Sequence, residues 1–234
     1  MEHRPHYAIV LFGGSGDRFQ SKLPKQFLKM GGKPLMTYCL DALQNSPEVD
    51  AIILASKPGY EYLVRDLCLQ YHYTKVKSVV SGGQTRQESV YRCLNFLSGL
   101  KPKRNSLILI HDGDRPKLTE TMIQESFVAA AQFGAAVTAI PATDSILLSR
   151  GKEVEDYLRR DQCFQVQTPQ TFAYPLILKA HQAARDKNRI ATDDGSLVLA
   201  LGHRVHLIPG SVDNIKITTR EDAVLFVQKE KKSC

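Results

Sequence analysis

The chain has 234 residues, of which 31 are Lys or Arg and 24 are Asp or Glu, so its formal net charge is +7. Hydrophobic residues make up 43% and charged residues 24%, which argues against disorder, and no apolar run approaches the roughly 18 residues that a membrane-spanning helix needs. The positive charge favours anionic partners, but it does not distinguish nucleic acid from a small phosphorylated ligand.

Short apolar runs alternate with helical patterns along the first 140 or so residues. Five runs read as strands, several of them almost continuously apolar, as in a parallel sheet covered on both faces: Tyr7–Phe12, Ala51–Ala55, Val76–Val80, Leu107–Ile110 and Ala136–Ile140. The helical patterns between them are Leu35–Leu43, Tyr60–Tyr71, Arg86–Leu97 and Glu120–Phe133. This alternation predicts one doubly wound α/β domain over residues 1–234, with ligands at the carboxyl ends of the strands.

The alternation breaks in a polar, charged segment at about residues 141–163. Ser145–Leu148 reads as a strand, and Gly151-Lys152 resembles a hairpin turn. So long a segment without a core-forming pattern is uncommon in a compact domain, and its apolar side chains would lack cover within one chain. We therefore expect an arm that docks on a second subunit through Ile146, Leu147, Leu148 and Tyr157.

The remaining elements follow the arm. The predicted strands are Phe164–Gln167, Val205–Ile208 and Ile215–Ile217. The predicted helices are Pro175–Asp186, Gly195–Leu201 and Arg220–Gln228.

The five cysteines are scattered, odd in number and without CxxC spacing, which argues against a disulfide framework and against a zinc site. No signal-peptide hydrophobic region precedes the first strand, so we expect a cytoplasmic protein. Aromatic residues make up 8% of the chain and are not interleaved with Lys and Arg, as a surface for stacking nucleic-acid bases would require.

A glycine-rich segment, Gly13-Gly14-Ser15-Gly16, follows the first strand and precedes Arg18 and Lys25. Glycines after a strand let backbone N–H groups approach phosphate oxygens. The segment is not a dinucleotide fingerprint, because Phe19 replaces the third glycine, and no Gly-Lys-Ser/Thr follows as in a P-loop. Two cations beside such a loop are destabilising unless an anion binds between them; the alternative is a solvent-exposed basic loop.

Three further segments place cations after strands. Arg86 and Ser89 lie three residues apart, on one face of a first helical turn, and a helix N-terminus favours anions. Asp112 and Arg115 follow a buried strand, where an ordinary turn is the alternative. Lys216 lies between two isoleucines of a short strand, and there a solvent-facing lysine is the alternative.

Taken together, the polar segments resemble a known family. The phrases GGSGDRF, PKQFL, GGQTRQESV, HDGDRP, QTPQTF, TDDGSLVLALG and DNIKITTRED occur in this order between residues 13 and 222. They resemble the 2-C-methyl-D-erythritol 4-phosphate cytidylyltransferases of the non-mevalonate isoprenoid pathway. The resemblance implies a Rossmann-like sheet of the nucleotidyltransferase type, a β-arm that forms a homodimer, and transfer of a cytidylyl group from CTP to the polyol phosphate with release of pyrophosphate.

The residues suit such a reaction. A phosphate monoester has a second pKa of about 6, so the attacking group is already largely a dianion at neutral pH and needs no general base. Transfers at phosphorus are accelerated mainly by positioning and by preplaced positive charge. A set of Arg and Lys side chains with glycine amides, without a Ser-His-Asp or Cys-His arrangement, therefore fits the reaction.

The resemblance also implies roles for single residues. The catalytic cations would be Arg18, Lys25 and Lys216. The CTP-binding residues would be Gly13, Gly14, Ser15, Gly16, Gly83, Arg86, Ser89, Asp112 and Gly113. The acceptor-phosphate residues would be Asp112, Arg115, Arg160, Thr168, Thr192 and Lys216, with Arg160 coming from the other subunit. A Mg²⁺ ion would be held mainly by the CTP phosphates, with Asp112 as the carboxylate to test, and the adjacent His111 is expected to be a packing and turn residue.

Three residues depart from the family pattern: Phe12 replaces a small residue, Gln84 an acidic one and Asp114 a small neutral one. The alternative activity is a cytidylyltransferase for ribitol 5-phosphate or another polyol phosphate. More remote alternatives are a non-catalytic nucleotide-binding module and a nucleic-acid binder, whose affinity would fall steeply with salt.

Overall fold

A computed structural model describes residues 5–13, 19 and 23–233, with the backbone alone for 231–233. Within these residues the strands are β1 (His6–Phe12), β2 (Lys29–Met30), β3 (Lys33–Pro34), β4 (Ala51–Ser56), β5 (Val76–Ser81), β6 (Leu107–Asp112), β7 (Ala135–Pro141), β8 (Leu147–Arg150), β9 (Glu153–Tyr157), β10 (Phe164–Ala173) and β11 (His206–Pro209). The helices are α1 (Leu35–Asn45), α2 (Glu61–Gln70), α3 (Arg86–Gly99), α4 (Glu120–Phe133), α5 (Tyr174–Asp186), α6 (Asp194–Leu199) and α7 (Arg220–Ser233). None of these helices is long and apolar enough to cross a membrane.

Seven strands form the central sheet in the order β5-β4-β1-β6-β10-β7-β11. β10 runs antiparallel to β6 and β7, and the other pairings are parallel. In register, Ala8 of β1 faces Ile52 of β4 on one side and Leu109 of β6 on the other. The chain therefore passes from β1 outward to β4 and returns to β6 on the opposite side, as predicted for a doubly wound fold.

Helices cover both faces of the sheet, because alternate residues of each buried strand point to opposite faces. Val10 and Ile52 pack on one face with α1, α2 and α4, whereas Ile9 and Ile53 pack on the other with α3, α5 and α6. Burial of each such aliphatic side chain stabilises the fold by about 1.5–3 kcal/mol. The nearly continuous apolar runs in the sequence reflect this two-sided burial.

Three predicted helix boundaries, the start and end of α4 and the start of α3, are confirmed by their capping geometry. The Thr119 hydroxyl accepts a hydrogen bond from the Met122 amide (3.3 Å) at the start of α4, and Gly134 ends the helix with φ +82°. Only glycine adopts such a backbone angle without steric cost. At α3, Thr85 likewise accepts from the Glu88 amide (3.0 Å).

The predicted arm contains an antiparallel hairpin. β8 and β9 pair across the Gly151-Lys152 turn and are exposed along their whole length. The sequence predicted the first strand at Ser145–Leu148, two residues early, and missed Glu153–Tyr157. That second strand is mostly charged, so its pattern gave no apolar signal.

Other elements differ from their predicted bounds. Ile215–Ile217 is not a strand: it has no regular secondary structure and lies beside the loop after β6, where the Ile217 amide donates to the Asp114 carbonyl (2.9 Å). Ile217 is buried with Phe19 and Phe226 rather than in the sheet core, so apolar alternation alone misled the prediction. β10 and α7 are longer than predicted, and β2 and β3 were too short to detect.

Candidate active site

The predicted polar segments meet at the carboxyl ends of β1 and β6, which are neighbours in the sheet. β1 leads to Gly13, and β6 ends at Asp112. The chain order of the strands reverses between these two strands, and at such a switch point the connecting loops diverge and leave a crevice. The N-terminus of α3 and the segment around Lys216 border the same crevice.

Asp112 is the centre of the charge network in this crevice. Its Oδ1 accepts from Arg86 Nε (3.0 Å) and its Oδ2 from Lys216 Nζ (2.8 Å). Arg115 Nε lies 3.9 Å from Oδ2. Burial by itself would raise the pKa of Asp112, but Arg86 and Lys216 hold that pKa below its usual value. The carboxylate is therefore ionised and holds cations from two distant parts of the chain.

Arg86 has a second anionic partner, Asp194 at the start of α6, which sequence reasoning missed. Arg86 Nη1 donates to Asp194 Oδ2 (2.6 Å), and His181 Nε2 donates to Asp194 Oδ1 (2.9 Å). Asp194 is buried, which by itself would raise its pKa, yet Arg86 and His181 lower it. The only sequence signal was the position of Asp194 within the TDD phrase. Arg86 Nη2 is buried without a hydrogen-bond partner in the described part of the chain.

Lys25 and Lys216 come together at Asp114. Lys25 Nζ donates to Asp114 Oδ2 (2.6 Å) and to the Ile217 carbonyl (2.5 Å). Lys216 Nζ lies 3.9 Å from Asp114 Oδ1. The structure thus gathers two of the three predicted catalytic cations, whereas Arg18 lies outside the described residues.

Ser89 links the two glycine segments. Its Oγ accepts from the Gly83 amide (3.0 Å) and donates to the Thr85 carbonyl (2.9 Å). A Cβ added at Gly13 would lie 3.6 Å from the same oxygen, and one at Gly83 would lie 2.4 Å from Glu88. Ser89 therefore fixes the loop in front of α3, and Gly83 has no room for a side chain.

Phe12 and Gly113 are complementary in size. A Cβ added at Gly113 would lie 2.0 Å from the Phe12 ring, closer than any real contact. The Gly113 amide donates to the Leu11 carbonyl (3.0 Å), which extends the pairing between β1 and β6 by one residue. The large residue at position 12 is thus accommodated by the absence of a side chain at position 113.

His111 is a buried structural residue, as predicted. Burial lowers its pKa to about 4, so the ring is neutral at pH 7. Its Nε2 lies 3.0 Å from the Arg115 carbonyl and therefore carries the proton. Nδ1 then accepts from the Thr168 hydroxyl (3.0 Å), whose oxygen accepts in turn from the Asp112 amide (3.0 Å). Thr168 and His111 together fix the backbone of Asp112.

Two adjoining cavities open at this network, and Arg86, Asp112 and Lys216 line both of them. The first, about 280 Å³, is also lined by Leu11, Gly13, Gly83, Gln84, Thr85, Ser89 and Asp114. The second, about 330 Å³, is also lined by Arg115, Val166, Gln167, Thr168, Gln170, Thr192 and Asp193. A larger cavity of about 480 Å³ lies beside α2 and β5 and contains none of the predicted site residues.

Comparison with known sequences decides the family. The sequence model of the 2-C-methyl-D-erythritol 4-phosphate cytidylyltransferase family (IspD) matches residues 7–227. The chain belongs to this family. It is 41% identical to the protein of that name from Desulforamulus reducens, over 93% of this chain and 92% of the relative. It is 38% identical to the one from Geobacillus kaustophilus, over 94% of each chain.

Solved structures of the cytidylyltransferase family share the fold. The 4-diphosphocytidyl-2C-methyl-D-erythritol synthase of Anaerococcus prevotii superimposes with a TM-score of 0.82 at 27% identity, covering 97% of this chain and 96% of that one. The 2-C-methyl-D-erythritol 4-phosphate cytidylyltransferase of Thermus thermophilus superimposes with a TM-score of 0.76 at 30% identity, covering 95% and 98%. The Rossmann-like, doubly wound sheet is thus common to this chain and its relatives.

The residues that the family resemblance assigned fall into three groups. Most line the two cavities or hold their walls. Gly14, Ser15 and Gly16 lie, with Arg18, outside the described residues. Arg160 is exposed in a short 3-10 helix (Arg160–Gln162) that follows the hairpin within the arm, and it does not line either of the two cavities.

Proposed function

We propose that this chain transfers the cytidylyl group of CTP to 2-C-methyl-D-erythritol 4-phosphate, forming the CDP-linked polyol and releasing pyrophosphate. The observation that carries the proposal is the pair of adjoining cavities with Arg86, Asp112 and Lys216 in their shared wall. Two anionic reactants need neighbouring sites with cations at the point where they meet. Family membership supplies the identity of the two reactants.

CTP occupies the first cavity in this proposal. The Gly83 segment and Arg86, which line this cavity, would contact the cytosine base. Gly13 lines this cavity at the end of β1, where a backbone without a side chain would permit close approach of the phosphates. Gly113, which the resemblance also assigned to CTP, lies against the Phe12 ring and lines neither cavity. Lys25 and Arg18 complete the triphosphate site.

The polyol phosphate occupies the second cavity. Arg115 and Lys216 supply positive charge there, and Thr192 an exposed hydroxyl group. Thr168 acts through Asp112, because its hydroxyl already binds the amide of that residue. Lys216 faces both cavities, so its ammonium can bridge the acceptor phosphate and the α-phosphate of CTP during the attack.

The described residues also fit a divalent cation. They contain no group of three or more His, Cys, Asp or Glu side chains that could hold a metal ion alone. Mg²⁺ typically binds through one or two carboxylates together with substrate phosphates, and Asp112 offers such a carboxylate at the boundary of the cavities. Bound there with CTP, the ion would neutralise charge on the phosphate oxygens.

A substrate assay tests the activity. Pyrophosphate release is measured with CTP and Mg²⁺ and either 2-C-methyl-D-erythritol 4-phosphate or ribitol 5-phosphate. We expect rapid release with the first acceptor and at least a hundredfold slower release with the second. Release with ribitol 5-phosphate alone would establish the alternative activity. No release with any polyol phosphate, together with tight CTP binding, would favour a non-catalytic nucleotide-binding module.

The arm is proposed to form a homodimer in which Arg160 reaches the acceptor phosphate of the partner subunit. Its support is the exposure of apolar side chains on the arm: Leu147 (42%), Leu148 (47%), Val154 (55%) and Tyr157 (64%). A hairpin without packing on its own chain gains stability when such side chains are buried by a second subunit.

Subunit mixing tests the dimer. Arg160→Ala and Lys216→Met variants are each expected to be nearly inactive. Mixed after dissociation, they should regain about a quarter of the wild-type activity, because half of the randomly paired dimers contain one site with both residues intact. If Arg160 served its own chain, no mixture would regain activity. A monomer in sedimentation analysis would equally contradict the proposal.

A further inference from the structure

Asp114 occupies an unusual position for an acidic residue in a triphosphate site. Its Oδ2 accepts from Lys25 Nζ (2.6 Å), and its Oδ1 is buried, has no hydrogen-bond partner among the described residues and lies 3.9 Å from Lys216 Nζ. The side chain is 17% exposed, and it lines the first cavity. A carboxylate thus stands between two cations that the proposed reaction needs for phosphate.

Among the described residues, this carboxylate is the anionic group that pairs with the Lys25 ammonium. The Lys25 side chain is 9% exposed, and burial of an ammonium without a counter-charge is strongly unfavourable. The other partner of the ammonium in the described part of the chain is the Ile217 carbonyl (2.5 Å), which carries no net charge. Asp112 does not replace Asp114, because its oxygens are bonded to Arg86 and Lys216.

We propose that Asp114 is a built-in counter-ion for Lys25 and Lys216 in the ligand-free protein. To bind these two lysines, the CTP phosphates must displace Asp114 from them. The inference rests on the proposed function, because it takes the two lysines as ligands of the triphosphate. A polyphosphate that enters the cavity is attracted by the lysines and repelled by Asp114. The residue therefore stabilises the empty site and lowers its affinity for triphosphate.

The effect is measured by calorimetric titration of inorganic tripolyphosphate, in EDTA, into the wild-type protein and the Asp114→Asn variant. Asparagine keeps the shape of the side chain, and its amide oxygen still accepts from Lys25. Repulsion between like charges a few Å apart in a partly buried site exceeds the energy of a tenfold change in affinity. We therefore expect the variant to bind tripolyphosphate about tenfold more tightly.

Two controls isolate the cause. Asp213→Asn also removes one negative charge, but Asp213 pairs with Lys229 at the surface. The affinity of this variant for tripolyphosphate should therefore equal that of the wild type. Cytidine, which lacks phosphates, should bind wild type and Asp114→Asn equally. Asp114→Ser is a second variant for the same titration if the asparagine variant unfolds.

Unchanged or weakened tripolyphosphate binding in both position-114 variants would overturn the inference. It would also be overturned if tripolyphosphate bound to neither the wild type nor any of the variants. Weakened binding would mean that Asp114 holds the lysines in their binding positions instead. These results are separate from the proposed function, which fails only if the wild-type protein does not turn over CTP.

Discussion

Replacement of Lys216 by methionine is expected to lower kcat roughly 10²–10³-fold, the usual cost of removing one preplaced group that stabilises transition-state charge. Lys216 lines both cavities and donates to Asp112 (2.8 Å). In the proposed reaction its ammonium would lie where the acceptor phosphate meets the α-phosphate, and negative charge would increase there during the attack. Methionine keeps the length of the side chain and removes the charge. Steady-state kinetics with varied CTP and acceptor measure kcat and KM separately.

The control for Lys216→Met is Lys229→Met, which removes a lysine that pairs with Asp213 outside the cavities and should leave kcat unchanged. Urea unfolding checks that Lys216→Met folds normally, because Asp112 keeps its bond to Arg86. A decrease in kcat of less than tenfold would show that Lys216 does not stabilise the transition state. An effect confined to KM would assign it to ground-state binding alone.

Replacement of Asp194 by asparagine is expected to destabilise the fold by about 3–5 kcal/mol, the usual cost of removing one charged partner from a buried ion pair. The Asp194 side chain is 1% exposed and bonds both Arg86 (2.6 Å) and His181 (2.9 Å). Asparagine carries no charge, so Arg86 would keep only Asp112 as a counter-ion. Urea unfolding at pH 7 measures the loss. The KM for CTP should rise at the same time, because Arg86 would no longer be held on both sides.

The pH dependence gives Asp194→Asn a second readout. The pKa of Asp194 is lowered in the folded protein, so its ionised form contributes stability above the ordinary aspartate pKa of about 3.9 and loses that contribution as the pH falls below it. The difference between wild type and variant should therefore be complete at pH 6–7 and shrink on strong acidification. The surface variant Asp213→Asn should differ from wild type by no more than about 1 kcal/mol. An equally small effect of Asp194→Asn would contradict a structural role for the pair.

The sequence by itself determined the layered architecture. Apolar strands alternating with amphipathic helices admit few arrangements other than a doubly wound sheet, and Thr119 and Gly134 marked the ends of α4 through local geometry. The glycine segments and the HDGDRP phrase follow strands, so the parallel sheet brings them to one edge. Periodicity failed at Ile215–Ile217, because a strand also needs a free neighbouring strand edge, which this segment does not reach.

Only the tertiary structure decided how the charges pair. Asp114 and Lys25 are 89 residues apart, and Asp194 and Arg86 are 108 apart, so no local spacing links either pair. From the sequence alone, the Lys216 side chain could have faced solvent. In the structure, Ile217 packs beside Phe19 and Phe226, and the neighbouring Lys216 side chain points toward Asp112. Secondary structure follows from short-range preferences of the backbone, but an ion pair depends on where whole elements pack, and that is fixed only when the core forms.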